Sequence, residues 1–373
     1  MAARIIPLPH ATLQQATGHV PRARAKDRPV QDLAVVIVNY RTADLTLDCV
    51  ASLLPARAAF PTLRVMVIDG HSNDGSAERI AESVTARGWD DWVTVLPLPV
   101  NGGFAFANNR AIAALAAAGP LPPAIALINP DARVRPGALE TLAARLDREP
   151  QAGAVGAQLI HEDGRRQASA FRFPTLRSEF CRGAGTGLFD KLLREPPIVI
   201  ESDVALEVPW VTGAAVMFRT KALRTTGMFD DGFFLYFEET ELMHRLQRAG
   251  CTIWHEPAAR VVHEGAAATR IYDPETGMPR RQRMPRYWYV SRRRYFAVVY
   301  GRFYALLTGL AWLGGRLFWR LRQLVFPRSD EGTRRSIGDM MQYGLWPTPF
   351  DGRSAAASLD APPQDVPAWM AIR

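Results

Sequence analysis

Four short apolar runs, each followed by a polar turn and then a helical pattern, leave this chain few architectures. Asp32 to Tyr40 (Asp-Leu-Ala-Val-Val-Ile-Val-Asn-Tyr), Leu63 to Asp69, Val93 to Leu96 and Ala124 to Ile128 are continuous rather than alternating and rich in Val, Ile and Leu. That is the pattern of strands buried on both faces. Leu45 to Leu54, Ala77 to Arg87, an Ala-rich stretch ending near Ala118, and Pro136 to Leu146 read as the helices between and after them. Strand–helix alternation of this kind predicts an α/β, Rossmann-like, mostly parallel sheet with helices on both faces, whose ligands bind at the carboxyl ends of the strands. Asn39, Asp69, Asn101 and Asp131 all fall at such ends.

Downstream, Gly153 to Ile160, Glu207 to Phe218 and Ile253 to His263 read as further strands, and Arg165 to Phe173 as an exposed polar stretch. Gly183-Ala-Gly-Thr-Gly187 lacks both a preceding strand and the Lys of a phosphate loop, so it reads as linker. The run Phe233-Phe-Leu-Tyr-Phe-Glu-Glu-Thr-Glu-Leu242 then places Glu238, Glu239 and Glu241 at the head of an amphipathic helix that Gly250 stops. Acids are favoured there by the helix dipole alone, and Glu241 has Arg245 four residues on, so these carboxylates serve either helix stability or chemistry.

Composition bears mainly on the ends of the chain. Cys49, Cys181 and Cys251 lie far apart and suggest neither a zinc site nor a disulfide framework, which fits a reducing cytoplasm. Residues 1–31 carry no continuous apolar core and read as a disordered tail. The formal charge is +8, yet residues 274–326 hold eleven arginines against the single acid Glu275, so the rest of the chain is about two units negative. Within that basic stretch, Phe303 to Gly315 is uncharged but shorter than the roughly twenty apolar residues of a spanning helix. Arginines and aromatics around it predict a helix on an anionic membrane surface, not a nucleic-acid site; packing on the protein's own core is the plain alternative, and a spanning helix with Arg302 snorkelling is a further one. The chain thus divides into a tail (1–31), an α/β body (32–272), a basic aromatic helical extension (273–326) and a poorly ordered end (327–373).

Val38-Asn-Tyr40, Ile68-Asp-Gly-His-Ser-Asn-Asp-Gly-Ser76, Asn101-Gly-Gly-Phe104 with Asn108-Asn109, Ile128-Asn-Pro-Asp131, and Phe233 to Leu242 with His263 occur in that order. Together they resemble the inverting glycosyltransferase family 2, with its GT-A fold, and within it the bacterial rhamnosyltransferase-like members, over about residues 33 to 300. The resemblance implies transfer of a sugar from a uridine or thymidine nucleotide, dTDP-L-rhamnose first among candidates, to a lipid-linked or cell-surface glycan at the inner face of the cell membrane. Asp69 would accept a hydrogen bond from the pyrimidine, with Asn39 and Tyr40 beside the nucleotide, Asn101 and Phe104 along its sugar side, and Asn109 and Asn129 as further nucleotide-sugar contacts. Asn109 could equally cap its own helix.

Asp131 stands at the last acid of the family's metal motif, whose first position is Asn129 here, and would hold Mg²⁺ or Mn²⁺ against the diphosphate. His263 resembles a histidine that completes the metal shell in related members, although a lone His at a strand end is as often structural. Glu239 would be the general base, in a position where the family usually has Asp, with Glu238 as runner-up and Glu241 as an orienting or salt-bridged partner. Gly70 replaces a common Asn. Trp210, Phe234 and Tyr236 are candidates for an apolar wall beside a deoxy sugar, or simply core. A non-catalytic glycan-binding scaffold on the same fold is the alternative reading.

Overall fold

The structure, a computed structural model, describes residues 30–264, 283–326 and 335–346. Most of the expected N-terminal tail therefore lies outside the described residues. The four apolar runs form β1 (Leu33–Asn39), β2 (Arg64–Asp69), β3 (Val93–Pro97) and β4 (Ala124–Ile128), paired in parallel in the order β3-β2-β1-β4. The helices are α1 (Ala43–Ser52), α2 (Ser76–Ala86), α3 (Gly103–Ala117) and α4 (Ala138–Arg148). Successive strand side chains leave on opposite faces, so Val35, Ile37, Val65 and Val67 pack with α1, α2 and α4, while Ala34, Val36, Met66 and Ile68 pack with α3. Two-sided burial is why these strands show no polar alternation.

The sheet continues through β11 (Ala215–Arg219), antiparallel to both β4 and β6 (Ala152–Ile160), then β12 (Thr252–His263), parallel to β6, and β5 (Ala132–Val134), antiparallel to β12. Helices α7 (Thr220–Thr226) and α8 (Glu238–Arg248) join α3 on its face of the sheet. The expected strand from Glu207 to Phe218 is broken into β9 (Leu206–Glu207), β10 (Trp210–Val211) and β11. Beta-strands β7 (Ala170–Phe171) and β8 (Val199–Ile200) pair in a small second sheet with β10, which takes in the end of the stretch read as exposed and polar.

Two expectations for the C-terminal half change. The presumed linker around Gly183–Gly187 is instead the end of helix α5 (Leu176–Ala184), stopped by Gly185 in the left-handed region (φ +57), and the start of α6 (Gly187–Leu192). A capping box between Thr175 and Ser178 starts α5. Glycine is required at Gly183 by contact rather than flexibility: a Cβ there would lie 2.2 Å from the Trp312 carbonyl oxygen on helix α10 (Arg302–Val325). Likewise a Cβ on Gly315 would lie 2.3 Å from the Phe180 carbonyl oxygen. The chain end expected to be poorly ordered also contains an ordered piece. Asp339 pairs with Arg283, Met340 is fully buried, and Leu345 packs on Gly309.

The basic extension is thereby tied into the body. Arg292, on α9 (Arg286–Tyr300), is fully buried and donates from Nε to Glu179 at 2.7 Å and from its terminal nitrogen to the Thr308 carbonyl at 2.9 Å. Burial works against the Glu179 carboxylate, but Arg182 and Arg292 outweigh it and hold its pKa below the usual range. Removing the guanidinium leaves a buried, under-compensated acid. Arg292→Leu is accordingly expected to destabilise the protein by about 3–5 kcal/mol in denaturant unfolding at neutral pH. A depressed folded-state pKa stabilises above the unfolded value, so this wild-type contribution fades as pH falls through the folded pKa of Glu179.

Candidate active site

The carboxyl ends of β1 and β2 form one wall. Asn39, expected beside the nucleotide, is fully buried instead. Its Nδ2 donates to Asp69 Oδ1 at 2.6 Å, and its Oδ1 accepts from Thr42 and Thr46 hydroxyls at 3.0 and 2.9 Å. Asn39 therefore positions Asp69. Ser72, which the sequence did not single out, donates from its hydroxyl to Asp69 Oδ1 at 2.6 Å and from its backbone N–H to Oδ2 at 2.9 Å. A carboxylate offers about four acceptor sites, so these three bonds leave Asp69 fixed with one direction open. Half-buried Tyr40 borders the adjoining Gly70, where a Cβ would stand 3.9 Å from its ring. Arg41, His71 and Asn73, all at positive φ, shape the turns after these strands.

A second wall comes from the long pairing of β12 with β5 and β6. His263 is in register with Ala132, which brings its Nε2 to 3.3 Å from Asp131 Oδ1 and 3.5 Å from Asn129 Nδ2. The tautomer follows from Gln167. Gln167 Nε2 donates to the His263 carbonyl at 2.5 Å and stands 3.0 Å from His161 Nδ1, so its Oε1 is the atom left facing His263 Nδ1 at 3.2 Å. Nδ1 then carries the proton and Nε2 presents a lone pair toward Asp131. Two acceptors side by side are an unfavourable pair unless a second proton on the imidazole or a bound cation joins them, and ligands at about 2.1 Å from one octahedral ion stand about 3 Å apart. The donor set fits a hard divalent ion held by two protein ligands and completed by phosphate oxygens or water. Among the described residues no group of three or more His, Cys, Asp or Glu side chains could hold a metal.

The third wall is the aromatic run and the head of α8. The Phe104 N–H donates to the Phe234 carbonyl at 2.8 Å, and Gly103 (φ +86) is so close that a Cβ would lie 2.0 Å from that oxygen. Asn101 Oδ1 accepts from the Gly103 N–H at 3.0 Å and so shapes this turn. Asn109, another proposed nucleotide contact, instead clasps the loop ahead of α8: it donates to the Phe229 carbonyl at 2.9 Å, accepts from the Phe229 N–H at 3.1 Å and bonds Asp231. Tyr236 and Phe237 both take positive φ (71° and 69°), strained for aromatic residues, immediately before the acids. Contacts of Phe234 and Tyr236 with Tyr287, and of Phe237 with Trp288 and Tyr295, brace this conformation from α9.

The three acids separate by environment. Glu241 is buried, with Oε1 accepting from Arg245 Nε at 2.7 Å, and the same guanidinium holds the Thr226 and Met228 carbonyls, which is a structural role. Glu238 is 2% exposed, and, as in Glu239 and Glu241, one of its oxygens is buried without a hydrogen-bond partner. Burial, and then the charge of Glu239, push its pKa well above the usual carboxylate range. Glu239 alone is partly open. Its pKa is also raised by burial, opposed by backbone N–H groups of Glu239, Gly213 and Thr240. Gly213 sits between Glu239 and Phe104, with a Cβ there 3.7 Å from each. The Asn129 N–H donates to the neighbouring Ala214 carbonyl at 2.9 Å, so the start of β11 bridges the Asp131–His263 wall and the acids. Trp210 is not part of this: it stacks on Phe171 at 4.4 Å and donates to the Arg172 carbonyl, apart from Phe234 and Tyr236 on Tyr287.

Sequence reasoning missed Gln167, Ser72 and Gly213 as parts of this site. Gly213 was visible only as an interruption of a strand pattern, and Gln167 had no local signal, since its partner His263 lies 96 residues away.

Comparison with known proteins identifies the family. The model of the family described as Glycosyl transferase family 2 matches residues 34–224, more than half of the chain. N-acetylglucosaminyl-diphospho-decaprenol L-rhamnosyltransferase of Mycobacterium tuberculosis is 29% identical over 249 residues, covering 64% of this chain and 77% of its own. Pre-mycofactocin glycosyltransferase of the same organism is 30% identical over 203 residues, covering 54% of this chain and 37% of its own. A solved mannosyltransferase from Pyrobaculum calidifontis, in complex with GDP-Man and Mn²⁺, is similar at a TM-score of 0.47 and 16% identity, covering 87% of this chain and 86% of that one.

Proposed function

Since the chain belongs to glycosyltransferase family 2, we propose that it is an inverting transferase taking L-rhamnose from a pyrimidine nucleoside diphosphate to a hydroxyl of a lipid-linked saccharide. The observation that carries this reading is the separation of the acids: of Glu238, Glu239 and Glu241, Glu239 alone is half-buried, although its Oε2 is buried without a partner, and its stem borders Gly213, next to Phe104. The acceptor class follows the printed name of the mycobacterial rhamnosyltransferase. A lipid-linked acceptor supports a site of action at a membrane surface, which we take to be its inner face.

In this mechanism Asp69, held by Asn39 and Ser72, accepts from the N3–H of uracil or thymine, and Tyr40 lies against the base. Asp131 and His263 Nε2 would hold Mg²⁺ or Mn²⁺, which supplies positive charge to the departing diphosphate. Glu239 takes the proton of the acceptor hydroxyl. The oxygen forms its bond to the anomeric carbon on the side opposite the diphosphate, and the C–O bond to phosphate breaks with its electron pair leaving on phosphate, which inverts the centre. Burial raises the pKa of both Glu238 and Glu239, that of Glu238 also through the charge of Glu239, and the ionised form of Glu239 is the one this mechanism uses.

A panel of uridine, thymidine, guanosine and adenosine diphosphate sugars tests the donor class through release of nucleoside diphosphate. Turnover is expected with thymidine and uridine donors, dTDP-L-rhamnose foremost. Turnover confined to purine donors would remove the role given to Asp69. Gln167→Leu is expected to weaken Mn²⁺ binding in the presence of the nucleoside diphosphate by about 10- to 100-fold, as loss of an orienting partner does. Electron paramagnetic resonance of free Mn²⁺ reads this directly, and an unchanged affinity would leave Gln167 a purely structural residue.

A further inference from the structure

Helix α10 is amphipathic in an unusual sense. Its inner face, including Ala305, Thr308, Gly309, Trp312 and Gly315, is buried. The opposite face should be polar if water were its only neighbour. It carries Phe303, Leu310, Leu317, Leu321 and Leu324 instead, which are 73, 48, 60, 56 and 81% exposed. Their spacing of seven, seven, four and three residues keeps them on one line along the helix. Phe189 of α6 meets Phe318 edge-on at 4.8 Å, bringing exposed Leu188 and Leu192 beside the same end of α10.

The charges around this line indicate its partner. At 3.6 residues per turn, exposed Arg302 and Arg320 fall on one shoulder of the stripe and Arg322 on the other, and no acid occurs anywhere in 302–325. Symmetric pairing of two copies along the stripe would set arginine shoulders against each other with no acid on the helix to answer them. An anionic surface satisfies both features at once, accepting the apolar line and pairing the arginines. No helix of the described residues is long and apolar enough to cross a membrane, which leaves α10 to lie along one.

We propose that the Phe303–Leu324 stripe of α10, extended by Leu188 and Leu192, seats this protein on an anionic lipid bilayer with the helix in the plane of the headgroups. This deepens the reading of a lipid-linked acceptor. Helix α9, which packs beside α10, carries the Tyr287, Trp288 and Tyr295 rings that brace the loop ahead of Glu239. The helical pair that touches lipid therefore also walls the site.

Sedimentation of the full chain with sucrose-loaded phosphatidylcholine vesicles, with and without phosphatidylglycerol, tests the proposal and needs no donor or turnover, so it fails or succeeds independently of the transferase reading. Binding is expected only to the phosphatidylglycerol vesicles and is expected to weaken as salt rises. The double variant Leu317→Glu, Leu321→Glu should lower binding by at least about tenfold. Arg302→Gln with Arg320→Gln should lower it by about fivefold per arginine and flatten the salt dependence. These side chains are exposed, so unfolding temperatures should match wild type. Equal binding to neutral vesicles, no binding to either, or undiminished binding by both variants overturns the proposal. So does a wild-type dimer in light scattering that the double Glu variant disperses, because a second copy would then be the occupant.

Discussion

Replacing Glu239 with Gln is expected to lower kcat by about 10²- to 10⁴-fold, the range a positioned general base contributes, while the donor KM stays near the wild-type value. The substitution keeps the shape of the side chain and removes only its ability to take a proton. Nearby Glu238 is deeply buried and its carboxyl strongly favours the neutral form, so it is not placed to take over. The pH profile carries a second signature. Burial raises the Glu239 pKa, so its proton persists to higher pH than on an ordinary carboxylate. Since the base must be ionised, the rate should fall on the acid side at a pH above the usual carboxylate value of about 4.3. Measurement of kcat against pH reads this limb; a profile flat to the ordinary carboxylate range would remove Glu239 as the base.

The other large effect is expected at Asp131. Asp131→Asn is isosteric but removes the carboxylate 3.3 Å from His263 Nε2, and transfer should fall by about 10²- to 10³-fold, as when a charge-stabilising group is lost. Two readouts separate a metal ligand from a structural acid. Mn²⁺ affinity in the presence of the nucleoside diphosphate should fall together with activity, and raising the Mn²⁺ concentration should partly restore the rate. Binding of nucleoside diphosphate without metal should change little, because the proposed recognition of the base lies at Asp69, on a different wall. Unaltered metal affinity with lost activity would assign Asp131 some other role.

The N-terminal strands and helices were legible because their signal is local: continuous Val/Ile runs reflect burial on both faces, and the polar turns mark strand ends. The family motifs were legible for a related reason, since each is a short segment at a strand end or a helix start. The choice among Glu238, Glu239 and Glu241 was only partly visible. Spacing announced the Glu241–Arg245 pair, but the openness of Glu239 depends on Gly213 and Phe104, which arrive from other elements. Gln167 and Ser72 were invisible for the same reason: a polar residue in a polar stretch does not declare the partner it will meet. Asn39 and Asn109 sit in motifs that resemble nucleotide contacts, and folding turns both amides inward. Glycines misled most around Gly183, where composition resembles linker and close helix crossing is the physical cause.

The most direct test is transfer itself, followed with dTDP-L-rhamnose and a polyprenyl-diphosphate N-acetylglucosamine acceptor in Mn²⁺, comparing wild type with Glu239→Gln. An inverting transferase with Glu239 as its base should give an acceptor-dependent rhamnosylated product of inverted anomeric configuration from the wild type, and lose that product in a Glu239→Gln protein that still binds the nucleotide. Product of retained configuration, or an undiminished rate from Glu239→Gln, would contradict that assignment.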